Sequence, residues 1–169
     1  QRLRRHIAEI ERRQRSASSS AFERQPDLRE LHQLSMALQY QQDTLRTFQA
    51  LVEHAPDGIV VSQLDDIVTY MNPAFRQMTA YDDADIGRNV YDFYANATET
   101  IQAVSYAVRA NGFWQGTMHY RRKDGQAFAA QLSIFTVLDT QQTPIALARI
   151  IRDLTEQQRQ EAEHAALQQ

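Results

Sequence analysis

The spacing of the apolar residues changes at Pro56-Asp57-Gly58, and this change separates two kinds of structure. Before it, seven positions alternate spacings of three and four residues, the heptad pattern of a helix that packs on one partner helix. These positions are Leu31, Leu34, Leu38, Gln41, Leu45, Phe48 and Val52. From Gly58 onward the apolar residues repeat every second position, as in strands. We therefore expect a long helix followed by a domain that contains a β-sheet.

The heptad positions predict a dimerisation helix over residues 27–55. Asp27 and Glu30 have the spacing of a capping box at its start, and Pro56 follows its end. A strict heptad stripe is narrower than an ordinary core-facing stripe, and this favours a parallel homodimer in which Gln41 fixes the register. Two alternatives are a helix that folds back on its own domain and an exposed linker helix.

The first 26 residues divide into an Arg-rich helix over 1–15 and a Ser-rich linker over 16–26. The helix carries six Arg and two Glu, and it could contact phosphates, an anionic membrane surface or solvent. The Arg5–Glu9 and Glu9–Arg13 spacings favour a solvated coiled-coil flank. Because the chain begins at Gln1 rather than Met, we interpret it as a fragment of a longer protein.

Residues 56–153 predict an α+β domain of the order β-β-α-α-α-β-β-β. Strands over 58–64 and 67–71 meet at an Asp65-Asp66 turn, and Asn72-Pro73 begins a short helix. A capped turn follows at 82–87, and Asn96 and Glu99 are expected to cap a helix that ends at Gly112. Strands over 113–122, 126–138 and 144–151 complete an antiparallel sheet with helices on one face, and a helix over 154–169 follows it. The expected core-facing residues of the fourth strand are Phe128, Ala130, Leu132, Ile134 and Leu138.

Six short segments within 48–156 together resemble the PAS sensory domain. They are HAPDGI (54–59), NPAF (72–75), Gly87, WQG (114–116), RRKDG (121–125) and RDLTE (152–156). The resemblance implies a PAS fold, with a five-stranded antiparallel sheet flanked by long coiled-coil-type helices. It also implies that Asn72 and Pro73 open the first pocket helix. Asp153 and Thr155 are similar to the family's Asp-(Ile/Val/Leu)-Thr element, which passes a signal to the output helix.

This resemblance implies a function in signal transduction. We expect a cytoplasmic sensory and dimerisation domain of a bacterial multidomain protein, such as a histidine kinase of a two-component system. A change at the pocket or dimer interface would pass through the coiled-coil helices to an effector domain in cis. One alternative is a ligand-free interaction module with a filled core. Another is a redox sensor that binds a flavin without a covalent bond.

The cofactor expectation follows from three residue types. The chain has no Cys, so a flavin bonded to a thiol is excluded. The helix over 96–111 has no His, which argues against haem, and His119 lies on the next strand. We expect no cofactor. Because of Trp114, a bound FAD or FMN is the alternative. The candidate pocket residues are Phe75, Met78, Tyr91, Phe93, Val104, Trp114, Leu132 and Ile134.

Enzymatic, metal-binding and nucleic-acid-binding functions lack a supporting pattern. The net charge is -3 and the pI about 5.9, so no overall basic field favours nucleic acid. The carboxylates of Asp65-Asp66 and of 82–85 are explained by turns and caps, and His164 by a solvated helix face. We expect no catalytic residue, no metal site and no membrane span in this chain, because no apolar run is long enough.

Overall fold

The computed structural model describes residues 27–167. The helices are α1 (Leu28–Glu53), α2 (Pro73–Thr79), α3 (Thr98–Asn111) and α4 (Thr155–Ala166). The strands are β1 (Gly58–Ser62), β2 (Val68–Met71), β3 (Phe113–Arg121), β4 (Ala127–Leu138) and β5 (Pro144–Asp153). Two 3₁₀ helices, Asp83–Asp85 and Val90–Phe93, lie between α2 and α3. The predicted Arg-rich helix and Ser-rich linker fall outside the described residues.

The chain divides into two compact units between Thr47 and Phe48. In the described part of the first unit, α1 is helical from Leu28, and the Asp27 carboxylate accepts a hydrogen bond from the Arg29 N–H over 3.4 Å. No residue of α1 is buried in the single chain. The heptad side chains Leu38 and Leu45 are 57% and 69% exposed, so the seam is open along this helix.

The second unit contains one five-stranded antiparallel sheet, in the order β2-β1-β5-β4-β3. The predicted α+β architecture with antiparallel strands is therefore confirmed. The order places β5 at the centre, where it pairs with β1 on one side and with β4 on the other. Strand β1 ends two residues before its predicted end, and β5 continues two residues beyond its own, to Asp153.

The core lies between one face of this sheet and the short helices. Alternate residues of β4 from Phe128 to Ile134 point into it, as their period of two predicts. The expectation for Leu138 is wrong, because a register shift between Val137 and Leu138 leaves that side chain 44% exposed. An aromatic cluster fills the centre, where the Phe75 ring lies 5.8 Å from Phe93 and 6.2 Å from Tyr120.

Two of the predicted helix boundaries are present in the structure, whereas the predicted cap at the start of α3 is not. The Asp82–Asp85 capping box is present, and α3 ends at Gly112 with a φ of 73°. The predicted cap of α3 by Asn96 is wrong, since Ala97 occupies the cap position and makes no side-chain hydrogen bond. The side-chain oxygen Oδ1 of Asn96 instead accepts a hydrogen bond from the His119 N–H over 2.6 Å, which joins this segment to β3.

Helix α4 follows the sheet as a polar helix with no buried residue. It begins at Thr155, immediately after β5, and its described length is twelve residues. Within residues 27–167, neither α4 nor any other helix combines the length and apolar character that a membrane crossing requires.

Candidate functional site

A small cavity of about 20 Å³ lies within the second unit, between α3 and the sheet. That volume is enough for about one water molecule. Its lining combines apolar, hydroxyl and charged side chains: Asp66, Tyr94, Ile101, Val104, Ser105, Val108, Arg109, Met118, Ile134, Leu147 and Arg149. A neighbouring region shares Tyr94 and Arg149 with it and is packed too closely to admit water.

Arg149 occupies a core position because of its place on β5. The period of two puts it on the same face as Leu147 and Ile151, and it is only 3% exposed. Its guanidinium donates to the Ser62 hydroxyl over 2.7 Å and to the Asp66 carboxylate over 2.6 Å. The buried charge is thus paired, as burial requires, while its Nε has no hydrogen-bond partner.

Asp66 receives hydrogen bonds from both sides of the cavity. It lies in the β1–β2 turn with a φ of 68° and is 4% exposed. Its second carboxylate oxygen accepts from the Tyr91 hydroxyl over 2.8 Å, and Arg109 lies 3.7 Å from that oxygen. The Tyr91 hydroxyl is also 2.7 Å from that of Ser105 on α3. The turn residue therefore joins the sheet to α3 through charged and hydroxyl groups.

Two phenols at this site remain neutral. Burial, followed by the Tyr91–Asp66 hydrogen bond and the charge of Asp66, raises the pKa of Tyr91, although the bond to Ser105 acts in the opposite direction. Burial is also the largest cause that raises the pKa of Tyr120 well above its ordinary value. The neighbouring Tyr94 phenol raises the pKa of Tyr120 further.

The structure distributes the predicted pocket residues over several environments. Val104 and Ile134 line the cavity, and Tyr91 belongs to the hydrogen-bond network around Asp66. Phe75 and Phe93 line the closely packed neighbouring region. The three remaining candidates line neither space: Leu132 is fully buried, and Met78 and Trp114 pack half-buried against the core.

The indole of Trp114 packs against Gly116 of its own strand. A Cβ atom added at Gly116 would stand 2.6 Å from the indole ring, closer than any real side-chain contact. Both residues are on the core face of β3, opposite Ile134 and Leu132 of β4. The missing side chain at Gly116 therefore creates the space into which the indole packs.

Sequence reasoning missed the charged part of the site. The sequence predicts only a turn at Asp66, and it predicts no site role for Arg149, Ser105 or Arg109. A usable signal was present for Arg149, because it stands in phase with Leu147 and Ile151 on an otherwise apolar strand. No local pattern marks Ser105 or Arg109, whose role depends on how α3 lies against the β1–β2 turn.

The side chains as packed do not fit a flavin. Pockets for ligands of that size usually measure about 300–1,000 Å³, whereas this cavity measures about 20 Å³. Phe75, Phe93 and Tyr120 occupy the adjacent interior. Within the described residues, no cluster of three or more His, Cys, Asp or Glu side chains could hold a metal ion.

A second feature joins α2 to the end of α1. Asn72, fully buried, caps α2 by accepting from the Phe75 N–H over 3.0 Å, and the same oxygen accepts from the Ile59 N–H over 2.7 Å. Its amide nitrogen donates to the carbonyls of Val52 and Asp57, each over 3.0 Å. One side chain thus satisfies groups in the last turn of α1, the following loop, β1 and α2.

The other end of α2 is joined to the start of α4 through Arg122. The Arg122 guanidinium donates to the Met78 carbonyl in the last turn of α2 and, over 2.9 Å, to the Asp153 carboxylate. It also lies 4.1 Å from the centre of the Phe128 ring, in cation–π geometry. Asp153 in turn accepts from the N–H and hydroxyl of Thr155, the first residue of α4.

The Asp153 carboxylate is held in its ionised form. Its partial burial acts to raise the pKa, but hydrogen bonds from Thr155 and Arg122 outweigh burial and place the pKa below its ordinary value. Asp153 and Thr155, the two residues that the sequence nominates for signal relay, therefore lie together at the β5–α4 junction. Arg122 completes this group.

Comparisons with known proteins identify the second unit. A family model described as PAS domain matches residues 56–156. The PAS domain of a protein from Colwellia psychrerythraea has a TM-score of 0.62 and 23% identity, over 67% of this chain and 98% of that chain. The PAS domain of an HTR-like protein from Haloarcula marismortui has a TM-score of 0.60 and 21% identity, over 70% and 98%. The LOV domain of a blue-light activated histidine kinase from Erythrobacter litoralis has a TM-score of 0.54 and 22% identity, over 60% and 98%. The similarity to these structures shows the fold. The family model covers more than half of the chain, and the chain therefore belongs to the PAS domain family.

Proposed function

We propose that this chain is a sensory and dimerisation module that passes a change in its core to an effector domain in the same polypeptide. The observation that carries this proposal is the position of α2 between two helices that leave the domain. Its cap residue Asn72 bonds to the last turn of α1, and its last turn bonds to Arg122, which holds the start of α4. A displacement of α2 therefore alters hydrogen bonds at both helices.

The packing of α2 against the aromatic core explains how a change in the core could displace this helix. Phe75 of α2 is fully buried and packs edge-on against Phe93 and Tyr120 beside the cavity. Because a close-packed core transmits strain, a change of contents or packing near these rings displaces the helix rather than being absorbed locally. A ligand, or a change in the Asp66–Arg149 network, is the kind of event that the relay would report.

Helix α1 supplies the dimerisation half of the proposal. Its heptad side chains are exposed except for Val52, which is partly buried, and a second copy of the same seam is the partner that a parallel homodimer provides. The expected interface residues are Leu31, Leu34, Leu38, Gln41, Leu45, Phe48 and Val52. Because knobs-into-holes packing allows only discrete arrangements, a change at the last turn of α1 would favour one register or rotation over another.

A ligand-free interaction module is the second candidate. The small volume of the cavity favours it, since a core filled with aromatic side chains requires no ligand to be stable. In this case the relay would respond to a partner protein or to the dimer interface rather than to a small molecule.

The relay is tested by NMR on the full 169-residue chain. The variant Phe75→Leu changes the packing of α2, and we expect it to shift the backbone amide resonances of α4 in the wild-type background. In an Arg122→Gln background the same substitution should shift them much less, and in an Arg121→Gln background it should shift them as in the wild type. Unchanged α4 resonances in Phe75→Leu would contradict the relay.

A further inference from the structure

A second stripe of side chains, distinct from the heptad seam, runs along α1. It consists of Met36, Tyr40, Thr44 and Thr47, at spacings of four, four and three residues. At 100° per residue these positions span about 80°, and their centre lies about 130° round the helix from that of the seam. Met36 and Tyr40 are 60% and 75% exposed in the single chain. A homodimer built on the seam therefore leaves the second stripe uncovered.

The two threonines of the second stripe do not prevent its burial. The Thr44 hydroxyl donates to the Tyr40 carbonyl, and the Thr47 hydroxyl donates to the Asp43 carbonyl, each over 2.8 Å. Because both hydroxyls are bonded to the backbone of their own helix, a covering element would not leave them unpaired. The second stripe is thus suited to packing against another helix.

We infer that residues 1–15 of the same chain cover the second stripe as an antiparallel helix. This segment is the Arg-rich helix that the sequence predicts, and it lies outside the described residues. Its apolar residues Leu3, Ile7 and Ile10 have the spacing of a helix that packs on one neighbour. In antiparallel order the two stripes match when Ile7 lies beside Tyr40, because each then has an apolar neighbour on either side.

The segment between the two helices is long enough for this arrangement. The Ser-rich linker over 16–26 has eleven residues, and an extended chain of that length reaches about 36 Å. The axes of packed helices are only about 8–10 Å apart. Pro26 also disfavours the helical conformation for the residue before it. The sequence therefore favours a reversal of the chain over one continuous helix.

The charges of the two segments favour residues 1–15 over a second copy of α1. Residues 1–15 carry six Arg and two Glu, whereas residues 27–53 carry four acidic residues and two Arg. Asp43 borders the second stripe at the end that an antiparallel partner approaches with Arg2 and Arg4. Opposite charges beside an apolar seam select the partner of a helix. A second α1, which has an excess of acidic residues, would offer no such attraction.

Chemical cross-linking of the full chain tests this assignment, because the wild type has no Cys. Ile7→Cys combined with Tyr40→Cys should react with a short bismaleimide to join the two positions of one chain, as identified by peptide mass spectrometry. The matched control combines Ile7→Cys with Gln42→Cys, which lies on the side of α1 away from the second stripe. We expect it to cross-link at least tenfold more slowly. Equal rates in the two variants would overturn the assignment.

The same reaction distinguishes residues 1–15 of one chain from other occupants. In a background with Leu38→Glu and Leu45→Glu, the cross-link should form at an unchanged rate, because the inferred contact does not use the seam. Its loss in that background, or a product only at the mass of two chains, would show that another copy covers the stripe and would overturn the assignment. Failure here would leave the α2 relay intact, since the relay is measured by the Phe75→Leu shifts in α4.

The environment of Met36 provides a second readout, because it is the only Met of α1. Ile7→Ser combined with Ile10→Ser should shift the Met36 methyl resonance in the NMR spectrum of the full chain. The matched control, Arg5→Ser with Arg12→Ser, changes the opposite side of the predicted helix and should leave that resonance in place. An unmoved Met36 methyl in the Ile variant, or an equal shift in both variants, would overturn the assignment.

Discussion

The side-chain amide of Asn72 donates a 3.0 Å hydrogen bond to the main-chain carbonyl of Val52, twenty residues earlier in the chain. The bond joins the cap of α2 to the last turn of α1. Because Arg122 holds the opposite end of α2 and the start of α4, a seven-residue helix connects the two long helices that enter and leave the domain. The proposed relay depends on that connection.

The dimer prediction concerns the open seam of α1. Leu38→Glu combined with Leu45→Glu should give a monomer by light scattering, because each substitution places a charge at a position that must be apolar in a coiled coil. The matched control is Gln39→Glu with Arg46→Glu, which makes the same helix more negative away from the seam and should leave a dimer. A dimer that survives the Leu substitutions would place the interface elsewhere.

The buried ion pair of Arg149 and Asp66 should stabilise the fold only when both charges are present, because either charge alone would be buried without its partner. Arg149→Met leaves the Asp66 carboxylate buried beside the weaker Arg109 contact, and we expect a loss of about 3–5 kcal/mol in the free energy of unfolding. The double variant Arg149→Met with Asp66→Asn removes both charges, so it should be more stable than Arg149→Met alone. Urea denaturation of the wild type, both single variants and the double variant measures the coupling. Additive losses would show that the two side chains do not depend on each other.

The contact between Trp114 and Gly116 predicts an overpacking effect. Gly116→Ala inserts a methyl group 2.6 Å from the indole ring, and we expect it to cost about 1–3 kcal/mol in the free energy of unfolding. Trp114 is the only Trp of the chain, so its fluorescence reports the displacement directly. In a Trp114→Phe background the same substitution should cost much less. An equal cost in both backgrounds would mean that the ring is not the cause.

The start of α4 should depend on pH through Asp153. Its pKa in the folded protein lies below the ordinary value of 3.8, so its contribution to stability is present above pH 3.8 and is lost as the pH falls through the lower folded pKa. The Thr155 amide resonance, followed from pH 6 to pH 2, should therefore titrate below pH 3.8. In Arg122→Gln the midpoint should move upward, since one of the hydrogen bonds that favour the ionised form is lost. A midpoint at or above 3.8 in the wild type would contradict this assignment.

The fold could be predicted from the sequence because its determinants are local. The period of two indicates the strands, Asn72-Pro73 and Gly112 indicate helix ends, and the five-stranded antiparallel sheet is what the family resemblance implies. The exceptions arose where tertiary contacts replaced the local pattern. Asn96 has the spacing of a helix cap, but its side chain bonds to the β3 backbone at His119 instead.

The candidate site was less predictable because its groups come from distant parts of the chain. Asp66 and Arg149 are 83 residues apart, and no spacing rule relates a turn residue to a residue on the central strand. The same holds for Arg122, which contacts Met78 and Asp153 across 44 and 31 residues. The core-facing phase of an apolar residue such as Leu132 predicts burial, but it does not distinguish a cavity wall from a filled interior.

The most direct test of the relay is hydrogen exchange at the start of α4 in Asn72→Ala. This substitution removes the bonds to Val52 and Asp57 and the cap of α2, none of which touches α4. The matched control is Asn89→Ala, which removes a comparable cap from the second 3₁₀ helix. We predict that the Gln158 amide, which donates to the Leu154 carbonyl, exchanges faster in Asn72→Ala than in Asn89→Ala when the two variants are compared under conditions that give them the same free energy of unfolding. Equal exchange of that amide in the two variants would contradict the claim that α2 connects α1 to α4.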